Sequence, residues 1–168
     1  KENTYYSRVD IELINEQVRL FYSALDEVSI EYNENNFKIL EYVHLGLQGN
    51  YKYYPLEELH INFHENGNYK IDSKLVFEPP QFDKKMLHHI YNNNNTILHK
   101  LKAKKTLNKG EWEDLENLSS TYLICYLNGF EQAIQKLEES KNHLKELGQR
   151  FYDSYKDNIR ILRKVKYN

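Results

Sequence analysis

The apolar positions of the first thirty residues follow a helical repeat. They recur at spacings of three and four residues, which is the heptad pattern of an amphipathic helix. Ser7 and Asp10 stand before the repeat at the spacing of a capping-box-like pair. We therefore expect a helix over residues 7–30 that ends in the polar stretch 33–36. The repeat consists of Ile11, Ile14, Val18, Phe21, Leu25 and Val28.

Between residues 37 and 78 the period changes from helical to alternating. Apolar and polar residues alternate on both sides of Asn66–Gly67, a pair that supplies the positive φ values of a tight turn. Residues 58–77 therefore predict a β-hairpin. The alternating segment from Phe37 to Leu47 adds a strand before it, so we expect a three-stranded antiparallel sheet. Proline cannot donate to a ladder, and Pro79–Pro80 ends the sheet.

From residue 82 onward the pattern is helical again. We expect short helices at about 82–91 and 95–105, separated by the asparagines 92–95, and a third around Trp112–Leu118. The last 48 residues carry an apolar repeat and no proline, so they predict one long helix, part of which should project or bend at Gly148.

The length of this final helix has a consequence for its apolar stripe. About 40 helical residues would span roughly 60 Å, which exceeds the diameter of a 20 kDa globule. The stripe would then need cover from the N-terminal helix or from a second copy of the protein, which would form a homodimer through the long helix.

Together these elements predict an α+β fold. Its order is an N-terminal helix, a three-stranded antiparallel sheet, and a helical half that ends in a long C-terminal helix. The α+β portion covers residues 1–80 and the helical portion covers 81–168, and we expect the two to form one continuous folding unit.

Composition narrows the source and the compartment. The chain has 168 residues, of which 15 are Tyr, 19 are Asn and only three are Ala. Asn, Tyr, Lys and Ile share A/T-rich codons, which indicates a low-GC bacterium, its phage or a mobile element. No stretch approaches the roughly 18–20 apolar residues of a membrane span, and the first residues lack an apolar signal core. With Cys125 as its single cysteine, the chain fits the reducing cytoplasm of the bacterial host.

The net charge of −2 conceals an asymmetry between the two halves. Residues 1–80 carry 14 acidic and 7 basic side chains, whereas residues 81–168 carry 11 acidic and 16 basic ones. Such a chain can neutralise itself internally, stack head to tail, or offer each end to a different partner.

No pattern for catalysis or metal binding stands out. The sequence lacks a phosphate loop, a Gly-x-Ser-x-Gly elbow and a His-Glu-x-x-His run. His60 and His64 on one predicted strand would be about 13 Å apart, which is too far to share one ion. Cys125 lies between Ile124 and Tyr126 on a predicted helix, as a packed core thiol would. We therefore expect no enzymatic activity, no metal and no cofactor.

Two groups of residues are candidates for macromolecular recognition. Aromatic residues beside the sheet and on the final helix form a candidate protein interface, because tyrosine is enriched at interfaces. Basic residues form a candidate contact with nucleic acid or with an acidic partner. The aromatic group comprises Tyr51, Tyr53, Tyr54, Tyr122, Tyr126, Phe151, Tyr152 and Tyr155. The basic group comprises Lys100, Lys102, Lys104, Lys105, Lys109, Arg160, Arg163 and Lys164.

Two short stretches resemble parts of known families. Residues 97–118, from Ile97-Leu98-His99 to Leu115-Glu116-Asn117-Leu118, resemble a helix–turn–helix stretch in the C-terminal part of type I restriction motor subunits. Residues 59–77, two alternating strands around Asn-Gly, are similar to the hairpin of immunity proteins that neutralise toxins exported by type VII secretion. The first stretch carries no catalytic residue of its family, and the second lacks the aromatic motifs that surround the hairpin in its family. Neither transfers a function to this chain.

These observations predict a non-enzymatic protein that binds another macromolecule. The first expectation is an inhibitor or adaptor from a phage or mobile element, of anti-defence or immunity type, that acts by stoichiometric protein–protein binding. The alternative is a nucleic-acid-contacting accessory subunit of a defence or restriction system, which would use the basic clusters 99–109 and 160–166.

Overall fold

The structure is a computed structural model that describes residues 5–12, 19–33, 36–47, 50–64 and 68–167. Within them, five strands precede five helices. The strands are β1 (Tyr5–Glu12), β2 (Arg19–Asn33), β3 (Asn36–Leu47), β4 (Asn50–Phe63) and β5 (Tyr69–Leu75). The helices are α1 (Lys84–Lys102), α2 (Lys109–Glu116), α3 (Leu118–Leu127), α4 (Ala133–Leu147) and α5 (Gln149–Tyr167).

The described residues divide into two compact units. The strands up to His44, together with Tyr53–Glu78, belong to the first unit, which contains most of the sheet. The second unit combines Leu45–Lys52 with Pro79–Tyr167 and contains all of the helices in the described part of the chain.

The sheet has the simplest possible order, because each described strand lies beside the next one along the chain. Its antiparallel pairs include β1 with β2, β2 with β3, and β4 with β5. The β4–β5 ladder pairs Glu57–Phe63 with Tyr69–Leu75 and confirms the predicted hairpin. The predicted antiparallel sheet and the helices after it are likewise confirmed, but the described sheet has five strands and not three. The turn at Asn66–Gly67 lies outside the described residues.

Alternate positions of β3 and β4 make the buried face of this sheet. Ile39 and Val43 are fully buried, and Ile61 is almost so. This alternation follows from the two-residue period of a strand, which sends successive side chains to opposite faces. On the other face, the ammonium of Lys38 forms an ion pair of 2.8 Å with Glu58 and links β3 to β4.

The helix predicted over residues 7–30 is not supported, since the described residues of that segment form β1 and β2. The predicted heptad repeat ran through β1, residues 13–18 and β2 as if they were one helix. Residues 13–18 lie outside the described residues. A competing signal was present in each strand. Val9 and Ile11 alternate with charged residues, and β2 ends in the alternating run 27–33, which is rich in β-branched and aromatic residues.

The helical unit is organised around α3. Its residues Leu118–Cys125 are all buried, and α1, α2, α4 and α5 all contact it. A helix that is apolar on all sides belongs in an interior, and the sequence Leu-Ser-Ser-Thr-Tyr-Leu-Ile-Cys has this character. The polar groups of its first turn are satisfied within the unit: the Ser119 hydroxyl lies 3.1 Å from that of Ser154 and accepts a hydrogen bond from Asn158.

The prediction of one long C-terminal helix is wrong, because the segment forms three helices. The chain breaks at Gly129 with φ 92° and at Gly148 with φ 134°. Both values lie in the left-handed region that favours glycine. Asn128 secures the first break, since its side-chain amide donates to the carbonyls of Pro80 and Ile124 and its oxygen accepts from the Phe82 N–H.

The breaks also remove the reason for expecting an uncovered stripe. The apolar positions of α4 and α5 are buried in the helical unit, where both helices pack on α3 and on each other. They include Leu137, Leu144, Ile161 and Leu162. The reason for expecting a homodimer through a long projecting helix is therefore removed.

The break predicted at residues 92–95 is also wrong, because α1 runs without interruption from Lys84 to Lys102. Asparagine has a modest helix propensity, but tertiary contacts override this weak preference. Asn94 is buried, and Asn95 accepts a hydrogen bond of 3.1 Å from the hydroxyl of Tyr122. The helix begins at a cap where Asp83 accepts from the Met86 N–H.

We predict that Gly148→Ala lowers the free energy of unfolding by about 1–3 kcal/mol. Its φ of 134° and ψ of 169° lie in a region that only glycine adopts readily. An added Cβ would meet nothing within 4 Å, so the cost would be backbone strain alone. Chemical denaturation measures the effect.

Gly110→Ala is the matched control. Gly110 lies in the first turn of α2, where an added Cβ makes an ordinary contact of 3.6 Å with Asn108. Its unfolding free energy should be unchanged or higher by up to about 1 kcal/mol, because alanine is the better helix former. Equal losses in both variants would contradict the assigned break.

We predict that the thiol of Cys125 does not react in the folded protein. Its side chain is fully buried in α3, and burial raises the pKa of the thiol to about 12. Because the thiolate is the reactive form, an aromatic disulfide reagent at pH 8 should modify it only after denaturation. Rapid stoichiometric modification of the native protein would contradict the buried position of α3.

Candidate functional site

The last two helices carry an open groove of about 380 Å³. One of its residues comes from α4 and six come from α5, and those six recur every three or four residues. This spacing places side chains on one face of a helix. The lining residues are Lys141 of α4 and Tyr152, Tyr155, Lys156, Ile159, Arg160 and Arg163 of α5.

The groove combines residues from both predicted recognition groups. Tyr152 and Tyr155 come from the aromatic group, whereas Arg160 and Arg163 come from the basic group. The prediction treated them as separate surfaces, although Arg163 follows Tyr152 by eleven residues, about three turns of one helix, which already indicated a shared face. The groove is therefore basic and aromatic together.

Two lining cations were missed by the sequence reasoning. Lys141 interrupts the apolar repeat of α4, and this interruption was the available signal for its position beside α5. Lys156 follows Tyr152 by four residues, which is the spacing of neighbours on a helix surface. With these two, four cations line the groove, and no carboxylate of the described residues does.

The ring of Tyr152 has close neighbours around it. The ammonium of Lys156 lies 5.4 Å from the ring centroid and that of Lys145 lies 5.8 Å from it. The Tyr155 ring is nearly parallel at a centroid distance of 6.0 Å and an angle of 8°. Cation–π attraction and ring stacking hold Tyr152 in place and leave little of its face for another planar group.

Local ion pairs determine how much positive charge the groove presents. Lys156 donates to Asp153 at 2.6 Å, and Gln149 donates to the same carboxylate at 2.8 Å. The hydrogen bond from Lys156 is the main cause that lowers the pKa of Asp153, and the same bond raises the pKa of Lys156. The charge of Lys156 is thus partly balanced by Asp153.

Comparison with known proteins assigns the chain to a family. The model of the family DUF5929, described as a domain of unknown function, matches residues 1–168. The chain belongs to the DUF5929 family. No curated protein and no solved structure matches it.

In this DUF5929 chain the basic stretch 99–109 is divided by ion pairs. Lys100 pairs with Glu111 of α2, and Lys102 pairs with Glu139 of α4. These bonds are the first cause that lowers the pKa of each carboxyl. The two lysines therefore join helices within the unit, whereas Lys104, Lys105 and Lys109 are exposed. Of the remaining predicted cations, Lys164 is half-buried.

Tyr122 is a structural residue of this DUF5929 chain and not an interface residue. It is fully buried, donates to Asn95, and packs edge-on against Tyr91 at 6.0 Å. Burial raises the pKa of its phenol, so the hydroxyl remains neutral. Tyr155 is also buried, although it borders the groove.

The other predicted aromatic residues are spread over both units of the DUF5929 chain. Tyr53 is exposed in the sheet and stacks on His44 at 4.7 Å. The side chain of Tyr51 lies outside what the structure describes. Half-buried positions are those of Tyr54, Tyr126 and Phe151. The predicted aromatic residues therefore belong to two units, and each group is described within its own unit.

A second hollow in the helical unit offers less chemistry. It has a volume of about 330 Å³ and is lined by Tyr91 and by the turn residues 129–132. In the described part of this DUF5929 chain, no group of three or more His, Cys, Asp or Glu is arranged to hold a metal ion. Nor does any described helix combine the length and apolar character needed to cross a membrane.

Proposed function

We propose that this protein binds an acidic segment of another protein in the groove of α4 and α5. The observation that carries the proposal is the lining: four cations and, among the described residues, no carboxylate. A groove lined by one sign of charge attracts the opposite sign and speeds the encounter with a charged partner.

The types of cation suit carboxylate groups. A guanidinium can bind a carboxylate with two parallel hydrogen bonds, and Arg160 and Arg163 follow each other by three residues on the same helix face. Lys141 approaches from α4 and supplies a third charge. Asp and Glu side chains that recur along a partner segment could meet these three groups in turn.

The ring of Tyr152 favours a protein partner over single-stranded nucleic acid. Binding of single strands relies on open aromatic faces on which bases stack. Around Tyr152, however, two ammonium groups and the Tyr155 ring already occupy that space. The net charge of −2 is also opposite to that of most phosphate-binding domains.

The proposed role is that of an inhibitor or adaptor that forms a stoichiometric complex, of the anti-defence or immunity type encoded by phages and mobile elements. A groove of about 380 Å³ accepts only a few side chains. The acidic segment would therefore be the anchor of a larger interface, as buried charged or aromatic anchors are in other complexes.

The second candidate function is contact with a nucleic acid backbone. Lys104, Lys105 and Lys109 favour it, since they are exposed next to the end of α1. Binding of this kind weakens steeply with salt and depends on these lysines more than on the groove.

We predict that Arg163→Glu weakens binding of a fluorescently labelled oligoglutamate peptide by about tenfold or more, because it puts a repulsive charge where an attractive one stood. Lys141→Glu should weaken binding in the same direction from the other helix. Fluorescence anisotropy at low salt measures the affinity.

Lys104→Glu is the control with the same change of charge outside the groove, and it should leave the affinity for the peptide within about twofold. Equal losses for Lys104→Glu and Arg163→Glu would contradict a defined site. Tighter binding of a single-stranded oligonucleotide than of the peptide, lost in Lys104→Glu, would favour the second candidate function.

A further inference from the structure

The last strand of the sheet presents an open edge. β5 stands at the end of the strand order, and its residues Tyr69–Lys74 are all exposed. Two of them are large apolar residues, Tyr69 and Ile71, each 44% exposed. An exposed edge with apolar side chains is a template on which a further strand can pair.

The hydrogen-bond pattern shows which backbone groups of β5 point away from the sheet. The Val76 N–H donates to the Leu56 carbonyl at 3.0 Å, and the His64 N–H donates to the Asn68 carbonyl at 2.8 Å. Residue pairs that are joined by backbone hydrogen bonds alternate with pairs that are not along an antiparallel ladder. The even-numbered residues from 68 to 76 therefore bond to β4, and residues 69, 71 and 73 direct their N–H and C=O groups outward.

The side chains of β5 alternate in charge along one face. Lys70, Asp72 and Lys74 share this face, and the Lys70 ammonium lies 2.9 Å from the Asp72 carboxylate. Tyr69, Ile71 and Ser73 share the opposite face. This row of a positive, a negative and a positive side chain can lie beside the same row of a second copy with opposite charges facing each other only in certain registers.

We propose that β5 pairs antiparallel with β5 of a second copy of this chain, so that Asp72 stands opposite a lysine of the partner. A twofold axis at Ile71 places Lys70 against the partner's Asp72, and an axis at Ser73 places Lys74 there. In both registers, the outward N–H and C=O groups of odd-numbered residues form the hydrogen bonds between the two β5 strands. An axis at Asp72 would instead oppose two carboxylates and set Lys70 against the partner's Lys74, and like charges opposite each other destabilise a sheet.

This interface is distinct from the groove and does not depend on the proposed function. β5 has seven residues, so a single strand pair buries less than the roughly 1,200 Å² of a stable interface. We therefore expect a weak dimer that dissociates on dilution through the micromolar range, as small interfaces do.

Sedimentation velocity over a concentration series tests the proposal. The unaltered chain should shift toward dimer as its concentration rises. Asp72→Lys should weaken association by about tenfold or more, since two Lys–Lys pairs would then replace the two Lys–Asp pairs. The triple variant Lys70→Asp, Asp72→Lys, Lys74→Asp restores complementarity and should associate like the original. Glu113→Lys, an equal change of charge on α2, is the control and should have no effect.

Two cysteine variants test the register and the edge directly. Residues opposite each other in a hydrogen-bonded pair have Cα atoms about 5.5 Å apart, within disulfide range. Under mild oxidation, the variant whose cysteine lies at the twofold axis, Ile71→Cys or Ser73→Cys, should form a disulfide between two copies of the chain. Cys125 is buried and should not interfere. A monomer up to millimolar concentration with no cross-link from either variant would overturn the proposal. So would equal association of the unaltered chain and Asp72→Lys.

Discussion

The burial of α3 is the constraint on which the helical unit depends. A ten-residue helix that is apolar on nearly every side has to be covered on every side, and one partner helix cannot do this. The chain turns at Gly129 and again at Gly148, so that α4 and α5 both lie against α3. Had the final segment remained one helix, the sides of α3 that α4 and α5 cover would face water, at a cost that scales with their apolar area.

The groove is a product of the same constraint. The turn at Gly148 brings α5 beside α4, and α5 then carries its apolar stripe inward and its basic residues outward. Lys141 stands in the α4 repeat where an apolar residue would fit, and it meets Arg160 and Arg163 in the groove. A row of like charges lowers stability by mutual repulsion. Binding of an acidic partner, as proposed, would offset this repulsion in the complex.

Much of the fold was predictable, but the largest errors share one physical origin. The hairpin around Asn66–Gly67 was found because alternation and turn chemistry agree there. Residues 7–30 fit both a helical period and the alternating period of a strand. The helical period led to the wrong prediction, although Val9 and Ile11 alternate with charged residues. Asn128–Gly129 is the same kind of turn signal as Asn66–Gly67, but it was overlooked within a strong apolar repeat. Tyr122 was assigned to an interface because burial by other helices is not visible in local sequence.

We propose that an acidic partner segment lies in the groove and not on the exposed lysines after α1. Backbone amide chemical shifts, followed by NMR during titration with an oligoglutamate peptide, distinguish the two positions. Binding in the groove should shift the amides around Lys141 and along residues 152–163, with much smaller changes at Lys104–Lys109. Shifts concentrated at Lys104–Lys109, or spread evenly over all lysines, would contradict it.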